Sequence, residues 1–155
     1  MRKSSITIDF ELFDSLEQLN EADLELVIAA RKACEKSYSP YSHFSVGAAV
    51  RLENGKIITG ANQENVAFPS GLCAERVALF ACGMEDANAE QMAVVARDKD
   101  GKWVEAFPCG ACRQVMLQME SRACKRLCFI ISIGGDKFMK ITGADSLLPF
   151  AFSKF

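Results

Sequence analysis

Two cysteines three positions apart are the side chains of this 155-residue sequence best suited to holding a metal ion. Cys109 and Cys112 follow Pro108, a residue that favours the start of a helix. Side chains at this spacing lie on one face of a helix, so both sulfurs can converge on one ion. A helix N-terminus also favours the thiolate that a metal requires. The alternative is that both are small apolar residues in a first helical turn.

A third cysteine and a carboxylate stand together upstream, at Cys73 and Glu75, where the sequence predicts another helix start. Three thiolate ligands with an open fourth position are typical of catalytic zinc, whereas structural sites have four protein ligands. Residues two apart on a helix point about 200° away from each other, so these two share a face only if Cys73 is the helix cap. We interpret the remaining cysteines as small core residues: Cys34, Cys82, Cys124 and Cys128.

The composition excludes several classes of protein. Seven cysteines, an odd number, argue against a full disulfide framework. A single histidine, His43, excludes zinc sites that need two imidazoles, and we interpret it as a buried hydrogen-bonding residue. The 18 basic and 20 acidic residues argue against binding of a nucleic acid polymer. Without a membrane-length apolar run or a signal peptide's apolar block, the sequence predicts a cytoplasmic protein with no membrane contact.

The order of helical and strand patterns predicts one domain over residues 20–155, preceded by a lead-in segment at 1–19. Asn20 is the predicted cap of the first helix. Helical patterns occur at 21–37, 72–84 and 109–120. Strand patterns occur at 44–50, 56–60, 91–97, 126–132 and 137–141. We therefore expect an α/β fold, a three-layer α/β/α sandwich with helices on both faces of a five-stranded mixed sheet.

Four segments of the sequence resemble the small cytidine deaminases of nucleoside salvage, and they hold these candidate residues. A Cys-Ala-Glu segment followed by Pro-Cys-x-x-Cys matches the signature of zinc-dependent deaminases. The resembling segments are 38–49, 60–65, 71–76 and 108–115. The resemblance implies hydrolytic deamination of cytidine and 2′-deoxycytidine to uridine and 2′-deoxyuridine with release of ammonia, in pyrimidine salvage. The alternatives are a deaminase of the same fold that acts on a cytosine-containing antibiotic, and a zinc module without activity.

The same resemblance implies roles at the metal centre. Cys73, Cys109 and Cys112 would hold one Zn²⁺ per subunit, with a water in the fourth position. Glu75, which is not a ligand, would move protons between that water, the pyrimidine ring and the departing ammonia. Arg76 would donate to a thiolate sulfur and so offset the net negative charge of three thiolates and one zinc ion.

Substrate binding and assembly are implied in the same way. Asn62 and Glu64 would hold the ribose hydroxyl, and Phe44 and Ala74 would also belong to the nucleoside-binding site. Phe152, near the apolar C-terminal end, would enter the active site of a neighbouring subunit. The resemblance therefore implies a homotetramer with shared active sites and a nucleoside as the small-molecule partner.

Overall fold

A mixed sheet of seven strands forms the centre of the computed structural model, which describes residues 1–153. The strands are β1 (Glu11–Phe13), β2 (Ser45–Leu52), β3 (Ile57–Ala61), β4 (Ala89–Arg97), β5 (Trp103–Val104), β6 (Cys128–Gly134) and β7 (Lys137–Thr142). The helices are α1 (Glu21–Cys34), α2 (Ala74–Cys82), α3 (Gly110–Ala123) and α4 (Ala144–Leu147). Along the sheet the order is β1-β7-β6-β4-β2-β3, and β5 pairs with β4. Only β4 and β6 are parallel among these described strands.

Alternating side chains of the central strands form two separate cores. On β2, Ala48 and Val50 pack with residues of α2, α3 and α4, whereas Ala49 between them packs with α1. Successive residues of a strand point to opposite faces, so β2 contributes to both cores. Helices therefore cover both faces of a mixed sheet, and the predicted three-layer α/β/α fold class is confirmed.

The prediction of five strands was two short, because β1 and β5 lack a readable alternation. β1 has three residues, lies inside the lead-in segment and pairs with the sheet edge through Leu12 and Met139. β5 has only two residues. Strands of this length are set by their neighbours in the sheet and leave almost no periodic signal in the sequence.

Helix ends also differ from the predicted ones. The first helix ends at Cys34, three residues before the predicted end, and the third continues to Ala123.

A buried carboxylate anchors the first turn of α1. Asn20 caps this helix as predicted, and its side chain accepts a hydrogen bond from the backbone N of Asp23 at 2.8 Å. The Asp23 carboxylate accepts from Lys140 Nζ at 2.6 Å and from Gln91 Nε2 at 2.5 Å. A buried charge needs such partners, so this cluster ties α1 to β4 and β7.

Two glycines let helices lie unusually close to the sheet. A Cβ atom on Gly60 would lie 2.5 Å from the backbone N of Ala78 in α2. A Cβ on Gly47 would lie 2.1 Å from the backbone O of Ala30 in α1. Backbone atoms cannot yield to such contacts as a flexible side chain can, so only glycine permits this packing. The position of α2, which carries the Cys73–Glu75 segment at its start, therefore depends on Gly60.

The four cysteines expected in the core divide into two groups. Cys34 and Cys82 are buried, as predicted, and Cys128 is partly buried. Cys124 is exposed, so its core assignment was wrong: it ends α3 in a left-handed conformation with φ of 49°.

Across residues 1–153 the structure contains no helix with the length and apolar character needed to span a bilayer.

Candidate metal centre and active-site cleft

The N-termini of two helices bring the three candidate cysteines together. Cys73 is the N-cap of α2, with φ and ψ of −69° and 152°, and Cys109 is the N-cap of α3, with −68° and 166°. Both caps are extended rather than helical. The expectation that Cys73 precedes the helical dihedrals is confirmed, and this explains how Cys73 and Glu75 line the same cleft. Cys109 is also outside its helix, whereas the spacing argument treated it as helical.

The distances between the sulfurs fit a zinc ion. Cys73 Sγ lies 3.9 Å from Cys109 Sγ, and Cys109 Sγ lies 3.5 Å from Cys112 Sγ. All three sulfurs lie within 4.8 Å of one another. Ligands placed tetrahedrally at a Zn–S distance of about 2.3 Å are about 3.8 Å apart. Within residues 1–153 this is the one cluster of three or more His, Cys, Asp or Glu side chains suited to holding a metal ion.

The crowded sulfurs share protons unequally. A hydrogen bond from Cys112, with further ones from Arg76 and Cys109, lowers the pKa of Cys73 to about 5. The hydrogen bond to Cys73, together with burial, raises the pKa of Cys112. Ionisation of one sulfur therefore opposes ionisation of the next, and a divalent cation between them removes this opposition.

Glu75 and Arg76 follow Cys73 in the first turn of α2. Glu75 is only 4% exposed, and burial raises the pKa of its carboxyl group. Arg76 donates from Nη2 to Cys73 Sγ at 3.7 Å, and this hydrogen bond raises the pKa of its guanidinium. A carboxyl group that holds a proton more readily than usual suits proton transfer, and a guanidinium beside a thiolate offsets its charge.

A cleft of about 820 Å³ opens beside the cysteines. Its wall combines apolar side chains with polar ones, as in binding sites for small molecules. The residues that line it include Tyr41, Ser42, Phe44, Asn62, Glu64, Phe68, Cys73, Glu75, Arg76, Glu105 and Cys109. The structure thus places most of the residues that the sequence selects in one cavity.

Asn62 and Glu64 are already held by hydrogen bonds within the chain. Asn62 Oδ1 accepts from Ser37 Oγ at 2.6 Å and from the backbone N of Val46 at 2.8 Å. Asn62 Nδ2 donates to the backbone O of Phe44 at 2.9 Å. Both oxygen lone pairs of this amide are used, so Asn62 keeps one N–H for a ligand.

Glu64 is held by the loop that precedes β2. Its Oε2 accepts from the backbone N of Tyr41 at 2.9 Å and of Ser42 at 3.2 Å, and its Oε1 accepts from Ser42 Oγ. Donation by the Ser42 hydroxyl is the main cause that lowers the pKa of Glu64. The carboxylate therefore keeps its charge and has one lone pair, on Oε1, left for a ligand.

Among the cleft residues that the sequence does not indicate are two with polar side chains, Ser42 and Glu105. Ser42 contacts Glu64, which lies 22 positions away, and Glu105 adds another carboxylate to the lining. Ser42 follows Pro40-Tyr41 in a turn-like segment, but no local pattern indicates which distant side chain its hydroxyl meets. Glu105 follows the two-residue strand β5, which also has no periodic signal.

Several other candidates lie outside the cleft. Ala74, the first residue of α2, is fully buried and packs in the core. Phe152 is 65% exposed, and its backbone O accepts from Gln114 Nε2 at 2.9 Å. Arg113, which follows Cys112, donates from its guanidinium to the backbone O of Pro108 and of Leu147, each at 2.7 Å.

His43 is not the buried residue that the sequence predicts. It is exposed and has a φ of 54°, in the left-handed region. The tight turn from Ser39 to His43, closed by a backbone hydrogen bond of 3.0 Å, places its side chain outward. Such turn geometry is decided by the loop as a whole and not by the residue type.

Comparison with known proteins identifies the family. The sequence profile described as the cytidine and deoxycytidylate deaminase zinc-binding region matches residues 20–128. The chain belongs to this deaminase family. The matched region is described as zinc-binding and contains Cys73, Cys109 and Cys112, so zinc is the ion that this donor set fits.

Individual members of the family are similar over most of their length. A cytidine deaminase from Sporosarcina psychrophila is 38% identical over 133 residues, covering 85% of this chain and 93% of the relative. One from Halalkalibacterium halodurans is 41% identical over 131 residues, covering 83% and 92%. The crystal structure of cytidine deaminase from Burkholderia pseudomallei aligns with a TM-score of 0.70 and 38% identity, covering 83% of this chain and 97% of that chain.

Replacing one sulfur should remove the metal without unfolding the deaminase domain. We expect Cys109→Ser to lower the zinc content to well under half an ion per chain, because a neutral hydroxyl is a poor zinc ligand. Zinc is measured by elemental analysis of the purified protein. Cys124→Ser is the matched control, since Cys124 is also exposed but lies outside the cluster. Full zinc content in Cys109→Ser would contradict the assigned ligand set.

Proposed function

We propose that this protein catalyses the zinc-dependent hydrolytic deamination of cytidine and 2′-deoxycytidine, a reaction of pyrimidine salvage. The observation that carries the proposal is the buried Glu75 carboxyl group in one cleft with the cysteine cluster and with Asn62 and Glu64. A metal that only stabilised the fold would need neither a buried proton carrier nor sugar-binding groups beside it. The family and the cytidine deaminases among its members support the same reaction.

Glu75 performs the proton transfers of this reaction. Zinc held by Cys73, Cys109 and Cys112 supplies an activated water at neutral pH. The Glu75 carboxylate accepts a proton from the attacking water and donates it to N3 of the pyrimidine ring. It then takes the remaining proton from the oxygen now bonded to C4 and delivers it to the amino group, so that the C4–N bond breaks, the C4 carbonyl forms and ammonia leaves. Burial favours the protonated form that this donation requires.

The sugar-binding pair explains why ribose and 2′-deoxyribose are both accepted. Asn62 has one N–H to donate, and Glu64 has one lone pair to accept with. One sugar hydroxyl can accept from Asn62 and donate to Glu64 at once, which uses both groups. The pair therefore recognises a single hydroxyl, and a second hydroxyl on the sugar is not required. The negative charge of Glu64 disfavours a nucleotide phosphate.

A nucleoside panel tests the reaction. Zinc-loaded protein is incubated with cytidine, 2′-deoxycytidine, cytidine 5′-monophosphate and the antibiotic blasticidin S, and ultraviolet absorbance and ammonia release are followed. We expect both nucleosides to be deaminated at least about tenfold faster than the other two compounds. Only they offer a sugar hydroxyl to Asn62 and Glu64 without adding a phosphate charge. Turnover of blasticidin S alone, or of no compound, would contradict the proposal.

Glu75→Gln should abolish turnover while zinc stays bound. The amide fills the same volume but cannot carry the proton, so we expect kcat to fall by roughly 10²- to 10⁴-fold. Glu17→Gln is the matched control, because Glu17 is exposed and distant in sequence from the motif. Zinc stoichiometry is measured on the same samples. Normal activity in Glu75→Gln would leave the zinc site with a purely structural role.

Arg76→Gln should slow turnover without loss of zinc. Three thiolates and Zn²⁺ carry a net charge of −1, which weakens activation of the water, and the Arg76–Cys73 contact offsets that charge. We expect kcat to fall by about 10-fold, within the range seen when groups bonded to metal ligands are removed. Undiminished kcat at full zinc content would reject this role.

We also propose that the enzyme is a homotetramer in which Phe152 reaches the cleft of a neighbouring subunit. Its side chain is exposed and lies outside the cleft of its own chain, while the exposed Phe68 forms part of the cleft rim. We expect light scattering to give four times the chain mass, and Phe152→Ala to raise KM several-fold. Phe150→Ala, at another exposed tail residue, is the control. A fully active monomer would contradict the shared site.

Residues 20–155 are proposed as the deaminase domain, and residues 1–19 as an addition to it. The family match begins at residue 20, and the lead-in segment adds β1 to the sheet edge and Leu19 to the core beside α1. A cytoplasmic location stays a prediction from the sequence.

A further inference from the structure

The loop at Ser42 surrounds the Glu64 carboxylate with donors. The backbone N of Tyr41, the backbone N of Ser42 and Ser42 Oγ all donate to it, and together they engage both of its oxygens. Glu64 is half-buried, so part of it faces solvent. A glutamate in such a place normally has several accessible rotamers, so the three donors restrict it to one.

The same hydroxyl also contacts the residue that follows the loop. Ser42 Oγ accepts from the backbone N of Phe44 at 3.1 Å. The backbone O of Phe44 accepts from Asn62 Nδ2 at 2.9 Å. Both polar backbone groups of Phe44 are thus bonded to residues at the sugar end of the cleft, and the Phe44 side chain lines that cleft.

We propose that Ser42 is a positioning residue that couples recognition of the sugar hydroxyl by Glu64 to the placement of Phe44 against the base. The proposal rests on the function proposed above and adds a residue that sequence analysis did not select. Ser42 contacts neither the reacting atoms nor the cysteine cluster; it acts through Glu64 and Phe44. Its hydroxyl is both donor and acceptor, which is what a link between a carboxylate and an N–H requires.

Removal of this link should affect binding and leave the chemical step unchanged. Glu75 and the cysteines belong to the N-termini of α2 and α3, whereas Ser42 belongs to the loop before β2. Without the hydroxyl, Glu64 regains rotamer freedom and the N–H of Phe44 loses its acceptor. Both the bound nucleoside and the transition state lose the same interaction, so KM rises and kcat does not change.

The first experiment compares three variants of the zinc-loaded full chain. We expect Ser42→Ala to raise KM for cytidine by roughly 5- to 20-fold, as for loss of a hydrogen bond to a charged group, with kcat within about twofold. Ser42→Thr keeps the hydroxyl and should restore KM. Ser146→Ala is the control, because its hydroxyl donates to the backbone O of Thr142 and Ser146 does not line the cleft. An unchanged KM in Ser42→Ala would overturn the proposal. A fall in kcat as large as the expected rise in KM would also overturn it.

A double-mutant cycle separates coupling from general damage to the loop. If Ser42 acts through Glu64, Ser42→Ala should raise KM by less than about twofold in a Glu64→Ala background. A rise in KM of the full 5- to 20-fold in the Glu64→Ala background would show that the Ser42 hydroxyl only stabilises the loop. That result would overturn the coupling between Ser42 and Glu64.

A binding measurement keeps this inference distinct from the proposed reaction. Calorimetry gives the Kd of cytidine for Glu75→Gln, which does not consume it, with and without Ser42→Ala. We expect the same 5- to 20-fold weakening, roughly the KM effect, because no chemical step is involved. If Ser42→Ala weakens binding of cytidine but the wild type does not turn cytidine over, only the proposed reaction is overturned. If Ser42→Ala does not weaken binding, the proposed role of Ser42 is overturned.

Discussion

Mutual repulsion of three sulfurs is the constraint on which the rest of this structure depends. Three thiolates within 4.8 Å of one another cannot all be charged unless a cation lies between them. Cys73 ionises readily, and Cys112 then holds its proton. The N-termini of α2 and α3 reduce this repulsion, since the positive ends of both helix dipoles point at the cluster. The N-termini of α2 and α3 must therefore lie next to each other at the cluster. Gly60 permits the close packing that positions α2.

Burial varies across the cleft in a way that suits hydrolysis. Cys112 and Glu75 are buried, whereas Cys109 and Glu64 are more accessible. The groups proposed for proton transfer and metal binding thus lie where water is restricted and electrostatic interactions are strong. Glu64, proposed to bind the sugar, is more accessible to solvent, from which a small polar molecule would enter. Arg76 donates to Cys73 Sγ, where its positive charge offsets that of a thiolate.

Hydrogen bonds within the chain limit what the sugar end can bind. Asn62 would offer four hydrogen-bonding positions if it were free, but three are used to hold Ser37, Phe44 and Val46. Glu64 is restricted in the same way by the loop at Ser42. Specificity therefore depends on the positions that remain after the protein has bonded to itself, which residue types alone do not reveal.

Much of this architecture could be predicted from the sequence, because it depends on local signals. Alternating apolar residues in β2, the Asn20 cap and the cysteine motifs indicate a helix-covered mixed sheet and a three-cysteine metal site in a family of zinc deaminases. Such features involve neighbours a few positions apart, and their physical basis is the period of a helix or strand. The strands β1 and β5 are too short for any period.

Only the tertiary structure decided the remaining features. The bond from Ser42 to Glu64 and the bond from Arg113 to the backbone O of Leu147 join parts of the chain that no local pattern connects. The outward turn at His43 is set by its loop as a whole. Whether a polar side chain is free for a ligand depends on partners that folding brings from elsewhere in the chain. The types of the reactive groups were therefore determined by the sequence itself, and their remaining hydrogen-bonding capacity by the fold.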